Sequence, residues 1–172
     1  MLERTLGVCP QSWRSPCCAV CTNLFLALAD AGLRIDSSLI VNPQGWPYAG
    51  KDFGTRLEWE PAHPPYPFRY HGGVIEVPVV SEYTWYLEDD RSFEKAWELV
   101  SADLRRVAER SGVFVAMSHF YAMAGPYRRG IALYERLFDA MEAAGPVRYC
   151  TVAEAAALPL GPWPVAAERL IG

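Results

Sequence analysis

An α/β fold with a mainly parallel sheet is predicted by two observations: the order of the elements and the character of one late strand. Apolar runs at helical spacing alternate with short β-rich runs, giving β-α-β, a long connection, and then β-α-β-α-β-α. The late run VFVAM (113–117) is apolar at every position, as suits a parallel strand covered on both faces. About five strands are counted, whereas an α/β barrel needs roughly 200–250 residues. A barrel on this pattern is therefore partial, and residues 1–172 form one domain.

Taken in order, LERTLG at the start resembles the last turn of a helix with Gly7 as its stop. Gln11–Ser15 is a short extended segment. Val20, Leu24, Leu28 and Ala31 recur at helical spacing before Gly32. Leu33–Val41 is extended, and residues 42–73 form a long irregular connection. Val74–Val80 is β-rich, with Pro78 marking a strand end or bulge. Ser92 is expected to cap a helix whose inner face is Phe93, Ala96, Trp97, Val100, Leu104 and Val107, with Gly112 as its end. After VFVAM, the face Tyr127, Ile131, Tyr134, Phe138 and Met141 predicts a helix stopped by Gly145 and Pro146. A short strand Val147–Cys150 follows, then Thr151 and Glu154 as the capping box of a last helix.

Composition excludes several function classes. The 172 residues are 51% hydrophobic and 21% charged, enough to bury a real core. Sixteen basic against twenty acidic residues give a net charge of -4, so no positive field is available to hold nucleic acid. No basic stretch with an apolar core marks a signal peptide, and no apolar run is long enough for a membrane span. Five cysteines, an odd number with four in the first 21 residues, do not make a secreted disulfide framework. The expected setting is the cytoplasm, with reduced thiols.

Three short motifs then come in sequence: Arg14-Ser15-Pro16 after a strand, Trp85 with Asp89 and Asp90, and Met117-Ser118-His119 at a late strand end. With AGLRIDSSL and VIEVPV between them, this order resembles the C-terminal two thirds of the polysaccharide deacetylase domain (NodB homology, carbohydrate esterase family 4). The resemblance covers nearly the whole chain. It implies a deformed (β/α) barrel, here a partial one lacking the N-terminal strands, and hydrolysis of non-peptide carbon-nitrogen bonds such as the N-acetyl groups of sugars. It also implies a divalent metal, zinc, at the mouth of the barrel in a complete protein. Two family motifs are not in these 172 residues: the Thr-Phe-Asp-Asp segment, and the His-x-x-x-His pair, since histidine occurs only at 63, 71 and 119. In family order both precede Met1, so a missing N-terminal half is the expected partner. No metal is expected for this chain alone.

The chemistry wants these residue types. Amide hydrolysis needs an activated water, stabilisation of the oxyanion and a proton for the leaving amine. His119, at a strand's C-terminal end, suits the proton donor. By resemblance Arg14 holds an upstream aspartate, its planar fork matching a carboxylate, Asp90 belongs to the catalytic set, and Trp85 and Met117 line the pocket. As residue types alone, His119 equally suits a structural role, Arg14 a carbonyl cap, and Asp89 and Asp90 a helix N-terminus. The aromatic and proline-rich connection 42–73, including Trp46 and Tyr48, is a candidate rim for an N-acylated carbohydrate; a loop packed on its own rings is the other reading. Beyond the deacetylase, the runner-up is a non-catalytic or degenerate carbohydrate-binding module of the same fold. Third is a redox or metal protein built on Cys18 and Cys21, which form C-x-x-C at a helix start.

Packing is the default role for buried cysteine, and no second pair follows at zinc-finger spacing. Replacing Cys18 and Cys21 by Ala is therefore expected to cost about 1 kcal/mol each at most, and to leave metal content and thiol-disulfide activity unchanged. Stoichiometric zinc or iron lost on substitution, measured by elemental analysis, would promote the third reading.

Overall fold

The computed structural model describes residues 4–5, 7–20, 22–40, 66–84, 87–109, 111–119 and 128–161. Its elements are β1 (Ser12–Trp13), α1 (Thr22–Asp30), β2 (Ile35–Asp36), β3 (Phe68–Arg69), β4 (Ile75–Glu76), β5 (Ser81–Glu82), α2 (Asp90–Ala108), β6 (Ala116–Met117), α3 (Arg129–Ala144) and α4 (Val152–Ala156). The fold is a mixed α/β one with mostly parallel pairing. β1, β2 and β4 run parallel, β3 joins β4 antiparallel, and β5 runs parallel to β6. Among the described residues the strands do not close into a barrel.

β4 and β5 belong to one extended segment that Pro78 interrupts. The ring removes one ladder donor, yet pairing resumes at once: Val79 bridges Ile40 in parallel, and the Val80 amide donates to Val115 O at 2.8 Å. The segment is therefore central, with β2 on one side and β6 on the other. Val74, Val77, Val79 and Val80 are all buried, because helices and neighbouring strands cover both faces.

Helices dock where their apolar stripes fall. On α1, Phe25 and Leu28 pack with Leu39, Phe68, Tyr70 and Val74, and the Phe25 and Tyr70 rings stack at 3.8 Å between centroids. Gly32 ends this helix with φ +79, where its amide and that of Leu33 close onto Ala29 O and Leu28 O. α2 and α3 cover Val80, Tyr83 and Leu87. Across their contact Arg136 pairs with Glu94 at 2.9 Å and lies 4.2 Å from the Trp97 ring centre. The buried Tyr83 hydroxyl donates to Asp103 on α2 at 2.8 Å. α4 brings Ala155 and Ala156 against Ile35 and Val77, and its Thr151–Glu154 capping box is formed as expected.

Several expectations are corrected. Asp89, not Ser92, caps α2. Its side chain accepts from the Ser92 amide at 2.7 Å, and Ser92 answers from the third position of a capping box. The left-handed residue after α2 is Ser111, φ +52, rather than Gly112. On α3 the buried stripe is Gly130, Leu133 and Leu137; Tyr134 and Met141 of the expected face pack against the same core, while Ile131 and Phe138 are exposed. Residues 147–150 form no strand. Gly145 at φ +126 and Pro146 lead the chain away from β6, leaving Val147 and Tyr149 exposed beside an apolar cleft of about 770 Å³. The long connection also holds structure: Phe68–Arg69 pairs with β4, and Phe68 and Tyr70 are core residues instead of a substrate rim. Trp46, Tyr48 and Trp85 lie outside the described residues.

The pairing of Asp36 with Glu76 in register sets a pH dependence. Burial and the neighbouring Asp36 push the Glu76 carboxyl well above its ordinary 4.5. Folded protein thus holds a proton that unfolded protein releases, and stability is greatest below about pH 4.5 and falls as pH rises toward the folded value. Glu76→Gln keeps the shape and removes the titration. Its melting temperature at pH 8 is expected above that of the wild type, by about 2–4 °C per kcal/mol recovered, with a flatter profile from pH 5 to 8. Parallel profiles for the two proteins would refute a protonated Glu76.

Candidate functional site

In a parallel sheet the loops that follow the strands' C-terminal ends gather at one edge, the usual place for a site. Here that edge receives Arg14 and the turn Pro16–Cys18 after β1, Ser37 and Ser38 after β2, Thr84 after β5, and Ser118 and His119 after β6. Because β4 and β5 run on as one segment, the two parallel ladders point the same way, and the contact of Cys18 Sγ with Met117 Sδ at 3.7 Å joins the β1–α1 turn to β6.

Arg14 is held by the neighbouring strand. Its Nε donates to Ser37 O at 2.7 Å and its Nη2 to Ser37 Oγ at 2.8 Å. The Ser37 hydroxyl in turn donates to Val77 O at 2.8 Å. The Ser15 amide donates to Ser38 Oγ, and that hydroxyl to Asp36 Oδ1, at 2.8 and 2.9 Å. A chain of side-chain bonds therefore fastens the β1–α1 turn to β2. The expected carboxylate partner of Arg14 lies outside this set, so the arginine's fork is spent on Ser37.

Beneath the turn lies a dry acidic pair. Asp36 and Glu76 are fully buried, and Glu76 Oε1 accepts from the Leu39 amide at 3.1 Å. Two carboxylates in a water-free site cannot both ionise. Burial first, and then the neighbouring Asp36, push the Glu76 carboxyl well above its ordinary range, so that it keeps its proton. Over this pair sits Cys18, whose Sγ meets Met117 Sδ at 3.7 Å. Burial, reinforced by Asp36 and Glu76 against the opposing pull of Arg14, pushes its thiol up to about 11. A thiol so placed is protonated at neutral pH, the opposite of the activation that a helix start was expected to give. Cys17 and Cys18 both adopt positive φ, +54 and +51, a strained turn for non-glycine residues. Cys21 lies outside the described residues.

Across the edge, the register Glu82↔Met117 puts Glu82 on the face that carries Met117. Glu82 is wholly buried. Its Oε1 accepts from the Thr84 amide at 2.9 Å and from the Thr84 hydroxyl, while Oε2 has no hydrogen-bond partner among the described residues. Burial, opposed by the two Thr84 bonds, brings this carboxyl to about 7, the range useful in proton transfer. Tyr134 on α3 bonds to the Ser118 side chain nearby, its hydroxyl pushed up by burial. His119 is half-buried at the same strand end.

Asp90 stands apart from this group. It opens α2 with its side chain 98% exposed and paired with Arg129 at 3.1 Å, a helix-terminus role. Sequence reasoning missed Asp36, Glu76 and Glu82. The available signal was acidic residues inside otherwise apolar strand runs, IDSSL and VIEVPVVSEY, where a buried charge is costly unless it has a purpose. Among the described residues no three His, Cys, Asp or Glu side chains gather as a metal site, and Glu76 of the buried pair is held protonated by burial and by Asp36. These residues do not fit the divalent metal that the resemblance implies. No helix among the described residues is long and apolar enough to cross a membrane. No family model, curated protein or solved structure matches the chain.

Arg14→Lys keeps the charge but cannot reach Ser37 at two points. The partly exposed position limits the loss to about 1 kcal/mol. Ser37→Ala should cost a similar amount, and the double variant clearly less than the sum. Additive losses in urea unfolding would mean that the two residues act independently.

Proposed function

We propose that this chain carries the strand-edge part of a polysaccharide deacetylase-like hydrolase site, on a partial, deformed (β/α) barrel, and binds an N-acylated sugar or a small N-acyl compound there. One observation carries the reading: Arg14 follows β1, Met117 ends β6 with Ser118 and His119 beyond it, both strands run in parallel pairs, and Cys18 of the Arg14 turn meets Met117 at 3.7 Å. In this reading His119 gives its proton to the departing amine. Arg14, anchored by Ser37, fixes the turn that forms one wall, and Met117 with Cys18 forms the apolar floor. The divalent metal of such enzymes would supply the activated water. No set of described residues fits it, so water activation is assigned to groups outside those residues. A non-catalytic carbohydrate-binding module is the second reading, favoured by the commitment of the Arg14 fork to Ser37.

Calorimetric titration with an N-acetylglucosamine oligomer tests the reading, alongside acetate release with zinc present. Saturable binding without enzyme-like turnover is expected of the 172-residue chain. Failure to bind would sink the deacetylase reading, and zinc-dependent acetate release at an enzymatic rate would show that the chain needs no further residues. Joined to a segment bearing the Asp-Asp and His-x-x-x-His motifs, the protein should turn over. In that form His119→Ala should lower kcat by roughly 10²–10⁴ with metal content unchanged. An active but less stable variant would mark His119 as structural, and full turnover in that form would exclude the binding-module reading.

A further inference from the structure

Glu82 is fully buried, yet among the described residues one of its two oxygens has no hydrogen-bond partner. Thr84 directs both its amide and its hydroxyl at Oε1. Among the described residues Oε2 meets no donor and no acceptor. Leaving a buried polar atom unsatisfied costs about 1–3 kcal/mol, and more if the group is charged. An apolar residue at this strand position would avoid that cost. The β5–β6 register puts the group on Met117's face, the face that meets Cys18 of the β1–α1 turn. The half-buried Ser118 and His119 bring solvent to this same strand end.

The hydrogen bonds also say where a proton goes. Oε1 already accepts twice, so the acid proton of a neutral Glu82 belongs on Oε2, which turns that oxygen into a donor. We infer that Glu82 is a ligand-facing hydrogen-bond donor of the strand-edge site, its Oε2–H directed at the carbonyl oxygen of an N-acyl group. This rests on the N-acyl hydrolase reading above and adds the residue that recognises the acyl oxygen. A neutral carboxylic acid in a dry site is a strong donor to an oxygen that gains negative charge during hydrolysis. Burial supports the neutral form, with the carboxyl brought to about 7. Among the described residues the titratable side chains on the elements around it include Tyr134 of α3, whose hydroxyl burial keeps protonated to higher pH, Cys18 of the β1–α1 turn, its thiol pushed by burial up to about 11, and His119 beyond β6.

The probe is the trimer of N-acetylglucosamine, compared with the fully deacetylated trimer, titrated calorimetrically against the 172-residue chain from pH 5.5 to 8.5. For the wild type, affinity for the acetylated trimer should fall about tenfold per pH unit above about 7, and the fall should persist in His119→Asn. Glu82→Gln, whose amide still donates, should bind within about threefold of the wild type at pH 6 and lose the pH dependence. Glu82→Ala should bind at least tenfold more weakly. Infrared difference spectra of wild type against Glu82→Gln at pH 6 should show one protonated-carboxyl carbonyl band, displaced when the trimer binds. A folded Glu82→Ala with wild-type affinity, a Glu82→Gln with the wild-type pH profile, or no such band would overturn the inference while the deacetylase reading stands. A wild type that binds no N-acetylated probe takes down both. If Glu82→Ala does not fold, the near-isosteric Glu82→Gln and the infrared band decide alone.

Discussion

The ladders in this sheet are short, two residues in each named strand, and backbone pairing alone is a weak constraint on register at that length. Side-chain carboxyls and hydroxyls take over where the ladders stop. The Leu39 amide, beyond the end of β2, is satisfied by Glu76 from the next strand, and the Ser38 amide and hydroxyl by Asp36. The price of this arrangement is a pair of carboxyls side by side in a dry core, of which only one can be charged. The proton held on Glu76 is therefore part of the fold, and the edge above inherits its position from the same strands: Ser38 holds the Ser15 amide, and Ser37 holds Arg14.

Glu76 and Glu82 solve the same local problem in different surroundings. Each ends a strand and accepts a backbone amide just beyond a strand end, from Leu39 and Thr84 respectively. Each leaves its Oε2 without a hydrogen-bond partner among the described residues. Glu76 lies beside Asp36, which with burial raises its carboxyl, whereas Glu82 has Thr84 bonded twice to Oε1. Which strand lies alongside sets that difference.

The thiols follow the same logic of surroundings. Cys18 stands at a turn opening toward a helix, the setting in which a thiolate is ordinarily stabilised. Burial, reinforced by the acidic pair, reverses the effect, and the thiol becomes a packing group against Met117. Cys9, Cys17 and Cys150 are exposed and free.

Local chemistry was legible in the sequence wherever it is decided within one turn of chain. The stop at Gly32, the interruption at Pro78, the capping box of Thr151 and Glu154, and the alternation of helices with parallel strands all follow from residue type and period. The cap of α2 was misplaced by three residues because Asp89 and Ser92 bond each other, and either could have led. The strand expected at 147–150 has the right composition but pairs with no strand among the described residues, following Gly145 at φ +126 and Pro146. Phe68 and Tyr70 look like loop aromatics until Phe25 arrives from α1. The sequence by itself determined the α/β class and set Arg14 and His119 after their strands. Only the tertiary structure brought Asp36 against Glu76 and Glu82 against Met117, because the strand register that does so pairs residues 35–40 positions apart and is invisible to any local pattern.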